Sequence, residues 1–281
     1  MQLSRRTALG ALAASALALC GCAPERAGTG TPTGTAAGTP AGPGTAAPTT
    51  GSPVPPAAVP PAAAAPPADG PAAGSPALAL TVRHSLTDPA SQWILVNKHT
   101  PLNPPTFAPA DLRQPQIPAD TGEALLLRDM AATAAEAMFA AAAAAGAPMV
   151  LLSGYRSYQT QVGLYASYAA VSGAALADTY SARAGYSEHQ TGLAMDIGAA
   201  SGACPLQYCF VLQPAAIWAA ANAHRFGFIL RYQQGHNLVT GFYAESWHYR
   251  FVGVELATDL VGRGFATLEE YFGKPAAPAY L

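Results

Sequence analysis

The sequence predicts a single α+β domain, and three observations predict it. Short apolar runs at Trp93–Val96, Met149–Leu152, Leu193–Ile197, Phe228–Tyr232 and Trp247–Val252 have the length of strands. An Ala-rich stretch over 121–145 has the length and spacing of a helix. The two kinds of segment are mixed without regular strand–helix–strand alternation, which excludes a doubly wound parallel sheet. The 12 Tyr, 9 Phe and 3 Trp all lie at or after Trp93. The chain of 281 residues therefore has core material for one domain of about 200 residues, although length alone allows two.

The domain is expected over 78–275, with 276–281 as a tail. Trp93-Ile94-Leu95-Val96 runs into Asn97 and Lys98 as a strand or strand-like entry, and 101–118 is a Pro-rich loop. The helix over 121–145 places Leu127, Met130, Ala134, Ala137 and Met138 at helical spacing, and Gly146 with Pro148 ends it. Met149–Leu152 follows as a buried strand. Ser157 can cap a helix that runs to about Val171 and stops at Gly173. After a loop to Ser187, Leu193–Ile197 alternates as a strand. Pro214 begins a helix that ends at Gly227. Phe228–Tyr232 and Leu238–Tyr243 flank a turn at 234–237 and read as a hairpin. Trp247–Val252 is the last strand, and short helices near Val254–Gly262 and Thr267–Phe272 close the domain.

Residues 1–22 read as an export signal. Arg5 and Arg6 precede the apolar stretch Thr7–Leu19, which is too short to span a membrane. Ser4-Arg5-Arg6 suggests the twin-arginine route, with the general secretory route as the alternative. Leu19-Cys20-Gly21-Cys22 resembles a lipoprotein cleavage box, with Cys22 as the expected lipid acceptor. Cys20 is the rival, preceded by the bulkier Leu19, and plain secretion is a further alternative. Residues 23–77 are Pro, Ala, Gly and Thr with almost no charge, a composition that cannot offset its own ordering entropy. This tether can reach on the order of 150 Å at ~3.1 Å per residue. The expected location is the cell envelope, with membrane attachment through the lipid anchor only. A net charge of −2 with 11% charged residues excludes a basic nucleic-acid-binding surface. A monomer is expected.

Two of the six histidines stand in suggestive company. His189 lies seven residues before Asp196, and His248 closes Glu245-Ser246-Trp247-His248. On a strand over 193–197, Asp196 and Ala194 point opposite to Leu193, Met195 and Ile197. A carboxylate in so apolar a strand needs a partner, and a metal is one. Two imidazoles and a carboxylate are a usual three-ligand set for one catalytic Zn2+ with a fourth position for water. Glu245 is then placed to act as general base, in a turn just before the strand that carries His248. By spacing alone, two hydrogen-bonded histidines, a capped turn and an ion pair remain an equal alternative.

Ser187-x-His189-x-x-Gly192-x-Ala194-x-Asp196 and Glu245-x-Trp247-His248 resemble the two motifs of the VanY-type D-alanyl-D-alanine carboxypeptidase family. Ser153-Gly154-Tyr155-Arg156-Ser157 resembles its substrate-side motif. Val96-Asn97-Lys98 with Pro101-Leu102, and Phe228–Tyr232, also resemble family segments. The resemblance implies a small central antiparallel sheet flanked by helices, with the zinc site on the sheet, as in DD-peptidases and hedgehog-like folds. It implies that His189, Asp196 and His248 hold Zn2+. Glu245 would take a proton from the attacking water and deliver it to the leaving amine. Arg156 would polarise the scissile carbonyl. Ser187, Gln161 and Tyr155 would contact substrate, with cap and helix-surface roles as alternatives for Ser187 and Gln161. Trp247 would wall the site.

The implied reaction is removal of the C-terminal D-Ala from peptidoglycan stem peptides. Alternatives are L,D-carboxypeptidase action on tetrapeptide stems and a catalytically silent wall-binding module. In an exported chain, Cys204 and Cys209 are expected to form a disulfide, the rival being zinc ligation.

Overall fold

The computed structural model describes residues 83–120 and 125–281. The predicted export signal, Cys22 and the tether lie outside them. Among the described residues, no helix is long and apolar enough to cross a membrane.

The labelled elements run β1 Leu112–Arg113, β2 Leu127–Arg128, α1 Asp129–Ala144, β3 Met149–Ser153, α2 Tyr158–Ser172, β4 Ala194–Ala199, α3 Pro214–Asn222, β5 Phe228–Leu230, β6 His248–Phe251 and α4 Val254–Gly262. Single helical turns lie between several of them. β1 and β2 form a minor antiparallel pair. The main sheet has the order β3-β4-β6-β5, antiparallel throughout. This is the α+β architecture the sequence predicts.

Strand alternation sorts the sheet into two faces. Met149, Leu151, Met195, Ile197, Tyr249 and Phe251 join Ala and Met side chains of α1 and α3 in one apolar core. Asp196 and His248 point to the other face. A second core gathers Trp93, Leu95, Ile229, Val252 and the buried side of α4. Small alanines let α1 lie close to the sheet: Ala131, Ala132, Ala135 and Ala142 are buried, with Met138 and Phe139 filling the gaps. The buried stripe therefore differs from the predicted one. Met130 is exposed, and so is Ala137. The helix also begins later than expected, because Leu127 and Arg128 pair with β1 instead. Ser157 caps α2, its hydroxyl accepting from the Thr160 N–H at 3.1 Å.

Three further expectations change. Trp93–Val96 is buried but pairs with no strand. The Leu95 N–H donates to the Leu86 carbonyl, and the Arg250 guanidinium donates to the Ile94 carbonyl. The hairpin over 228–243 does not form. β5 pairs with β6, Phe228 opposite Phe251, while Asn237–Thr240 is a helical turn that ends at Gly241 with φ 81°. Residues 276–281 are no loose tail. The Ala277 N–H donates to the Val239 carbonyl, and the Tyr280 hydroxyl accepts from the Arg183 N–H. Lys98 Nζ bonds the Gly241 carbonyl and sits 5.5 Å from the Tyr280 ring centre. The Cys204–Cys209 disulfide forms as expected, with Cα atoms 5.7 Å apart.

Candidate active site with a metal centre

Strand register builds the site. Asp196 on β4 lies directly opposite His248 on β6, and Ser153 on β3 lies opposite Asp196. Residues so paired share a face. A register shift between Leu151 and Ser153 re-aims the end of β3 toward it. His189 comes from the 3-10 turn Glu188–Thr191 that leads into β4. Gly192 closes that turn at φ 67°, the left-handed conformation glycine adopts freely.

The donor atoms of His189, Asp196 and His248 lie within 4.8 Å of one another, and all three residues are buried. Asp196 Oδ2 is 3.3 Å from His189 Nε2, and Oδ1 is 3.2 Å from His248 Nδ1. The far nitrogen of each ring is committed elsewhere. His189 Nδ1 donates to the Gly154 carbonyl at 2.8 Å, since a carbonyl can only accept. His248 Nε2 faces the Glu188 carboxylate at 3.2 Å. With their protons held on the far side, both rings turn a lone pair toward Asp196. Two lone pairs and a carboxylate aimed at one buried point repel unless a cation lies among them. Two imidazole nitrogens and one carboxylate fit Zn2+ and leave a position for water or substrate.

Electrostatics agree with that reading. Burial alone would raise the Asp196 carboxyl, but His189 and His248 hold it far below the carboxylate range. Burial lowers His189. Burial also works to lower His248, yet hydrogen bonds to Asp196 and Glu188 push it up to about 9. The acidic surroundings that favour a proton on His248 also favour a metal cation, and the two compete for the same ring nitrogen.

Sequence reasoning missed Glu188. Its Oε1 accepts from Arg231 Nε at 2.9 Å and from Arg250 Nη1 at 3.0 Å, while Oε2 serves His248. Arg231 also pairs with Glu269 at 2.7 Å, and Glu269 accepts from Asn97. Burial would raise the Glu188 carboxyl, but the two guanidinium groups hold it far below its ordinary value. The available signal was Arg231 and Arg250 themselves. Each sits in an apolar strand segment and needs a buried carboxylate.

Glu245 lies just before β6, as expected. Its carbonyl accepts from the His248 N–H, and its own N–H donates to the Tyr232 carbonyl. Oε2 stands 3.8 Å from His248 Nδ1. Burial pushes its carboxyl up to about 8, against the pull of His248. Arg156 is fixed by hydrogen bonds from Nη1 to Gln161 at 3.0 Å and from Nη2 to Ser153 at 3.1 Å. A cavity of about 330 Å3 brings together the three donors, Glu245, Arg156, Ser187 and Trp247. That volume lies at the small end of small-molecule sites.

Two of the expected substrate contacts lie elsewhere. Gln161 is buried outside the cavity lining, its oxygen taken by Arg156 and its amide by the Ala182 carbonyl at 2.6 Å. It orients Arg156. Tyr155 also lies outside the lining; its N–H donates to the Leu126 carbonyl at 2.6 Å, turning the chain so that Arg156 faces inward. Tyr232, not predicted, lines the cavity with its ring centre 4.9 Å from that of His248.

Gly154 carries a prediction. A Cβ there would overlap the Leu126 carbonyl oxygen, and the Gly154 carbonyl is the one that orients His189. Gly154→Ala is expected to cost about 1–3 kcal/mol of stability. Zinc affinity should fall about tenfold or more, as for lost outer-shell partners. Thermal melts and competition with a chelating dye measure both. Unchanged values would show that the close approach is dispensable.

Comparison with known proteins matches residues 124–254 to the family described as VanY, D-alanyl-D-alanine carboxypeptidase. The protein YodJ of Bacillus subtilis (strain 168) is 36% identical over 193 residues, covering 68% of this chain and 70% of its own. The chain belongs to the VanY family. As a VanY-family member it is a peptide hydrolase of the carboxypeptidase class. The D-alanyl-D-alanine carboxypeptidase of Enterococcus faecalis (strain ATCC 700802 / V583) is 35% identical over 191 residues, 63% of this chain and 64% of that relative. Among solved structures, the LdcB LD-carboxypeptidase superposes with a TM-score of 0.62 at 36% identity, covering 66% of this VanY-family chain and 88% of its own. The vancomycin resistance D,D-pentapeptidase VanY, solved in complex with Zn(II), gives 0.52 at 33%, covering 63% and 97%.

Proposed function

We propose that this chain is a zinc-dependent carboxypeptidase that removes the C-terminal D-Ala from peptidoglycan stem peptides. The observation that carries the reading is Glu245 beside the His189, Asp196 and His248 donors, in one cavity with Arg156. Zn2+ held by those donors supplies Lewis-acid chemistry, lowering the pKa of water and polarising a carbonyl. The remaining roles belong to the protein. A cation nearby favours the charged form of Glu245, which then accepts a proton from the attacking water and returns it to the leaving amine. Arg156, held in plane by Gln161 and Ser153, offers donors to the charge that develops on the scissile carbonyl oxygen. Ser187 offers a hydroxyl to the substrate's terminal carboxylate, and Trp247 walls the cavity.

The D-Ala substrate is supported by the name of the Enterococcus faecalis relative and by VanYB, solved in complex with D-alanine-D-alanine. A second reading, L,D-cleavage of tetrapeptide stems, is supported by LdcB and DacB, solved as L,D-carboxypeptidases and each 36% identical to this chain. Incubating the zinc-loaded protein with pentapeptide and tetrapeptide stems and measuring free D-Ala separates the two. Release from neither would refute both. We further propose export through residues 1–22 and lipid attachment at Cys22, supported by the cleavage-box pattern. Cys22→Ala should then move the protein from the membrane fraction to the soluble one.

A further inference from the structure

Next to the catalytic cavity lies a second hollow of about 480 Å3, lined by Tyr208, Gln234, Asn237, Tyr243 and Ala244 among others. The two spaces share their walls. Leu206 lines the first and Tyr208 the second; Glu245 lines the first and Ala244 the second. One shared wall is the 204–209 loop, closed by the disulfide. Within it Cys204 and Leu206 hold φ values of 57° and 52°, a region non-glycine residues seldom adopt without a constraint. The other wall is tied down by the Tyr243 N–H, which donates to the Thr179 carbonyl at 2.9 Å. Two tyrosines thus stand in the open on braced backbone, Tyr208 at 70% and Tyr243 at 52% exposure.

We propose that this hollow is a subsite for the part of the stem peptide on the N-terminal side of the scissile bond, with Tyr208 and Tyr243 as its gripping side chains. The inference rests on the carboxypeptidase reading. An exopeptidase has one residue on the leaving side of the bond and a chain on the other. The leaving residue ends in a carboxylate and suits the enclosed polar part of the cavity, where Ser181 and Ser187 are buried. The chain must depart over the rim of the cavity, and the exposed hollow lies just across the wall formed by the 204–209 loop and Ala244-Glu245. Tyrosine rings supply flat apolar area with a hydroxyl at little conformational cost, which suits an extended peptide. The disulfide holds Leu206 and Tyr208 on their two sides of the shared wall.

The test compares a complete stem peptide with its N-acetylated C-terminal three-residue fragment, in both the pentapeptide and the tetrapeptide series. The readout is the ratio of the two kcat/KM values with the full zinc-loaded chain. The double substitution Tyr208→Ala with Tyr243→Ala is expected to lower that ratio about tenfold, mainly through KM of the long peptide. Tyr208→Phe, which keeps the ring, should preserve it. Cys204→Ser with Cys209→Ser should lower it in the same direction. Both tyrosines are exposed, so the fold is not at stake. An unchanged ratio in the tyrosine double variant overturns the subsite while leaving the carboxypeptidase reading intact. A fall seen only when the disaccharide is attached to the stem would assign the hollow to sugar and overturn the peptide assignment. No cleavage of any peptide by the unsubstituted protein overturns the functional reading and the subsite with it.

Discussion

Glu245→Ala is expected to cut D-Ala release by about 10²–10⁴-fold, the usual worth of a positioned general base, while zinc content stays near one ion per chain. The side chain stands 3.8 Å from His248 Nδ1, longer than a hydrogen bond. It lies outside the group of three donors that converge on the metal position. Its removal therefore takes away a proton acceptor without unseating a ligand. Melting temperature is expected to hold as well, because the backbone bonds from Glu245 to Tyr232 and His248 do not involve the side chain. Stem-peptide binding, followed by calorimetry, should persist. A variant that still turns over would exclude Glu245 as the base. A variant that loses its zinc would show it to be a ligand.

Glu188→Ala is expected to do the reverse, weakening fold and metal together. One carboxylate serves Arg231, Arg250 and His248, and its side chain is 1% exposed. Removing one member of a buried charge cluster costs about 3–5 kcal/mol, because the partners keep their desolvation cost without their neutralising charge. Arg231 retains Glu269, and Arg250 retains the carbonyls of Gln92, Ile94 and Phe251. His248 retains nothing at Nε2 to fix its tautomer, so zinc affinity should fall about 10–100-fold. Denaturant melts and chelator competition read the two effects separately. If the alanine variant does not fold, Glu188→Gln, which keeps an acceptor but not the charge, should show intermediate losses of both. Full retention of zinc affinity in either variant would exclude an orienting role for Glu188.

The site was half legible from residue type and spacing, and the resemblance of the two motifs to the family's supplied the rest. His189, Asp196 and His248 stood out because a carboxylate in an apolar strand needs a charge beside it, and Glu245 because its turn precedes a histidine. Ser157 and Pro214 announced their helices by local preferences that tertiary contacts left alone. Other features depended on partners far away in sequence. Leu238 and Val239 have a strand-like composition, yet Leu238 is 73% exposed and both lie in the helical turn Asn237–Thr240. β6 takes β5 instead. Trp93–Val96 is as apolar as a strand, but its side chains divide between two cores and Arg250 claims the Ile94 carbonyl along with that of the preceding Gln92. Gln161 has the chemistry of a substrate contact. Only the fold reveals that both ends of its amide are already used. The role of Glu188 was hidden for the same reason, since its three partners lie 43 to 62 residues further along the chain.

The pairing of Asp196 with His248 makes catalysis hostage to alignment. Because side chains alternate along a strand, sliding β4 by one position against β6 would bring Met195 or Ile197 to the place of the aspartate and turn the acid into the apolar layer. Zn2+ held by His189, Asp196 and His248 would tie two neighbouring strands and the turn before them together, a rivet against such slippage. Whatever affinity it has for the native arrangement over the unfolded chain is added to the stability of the sheet.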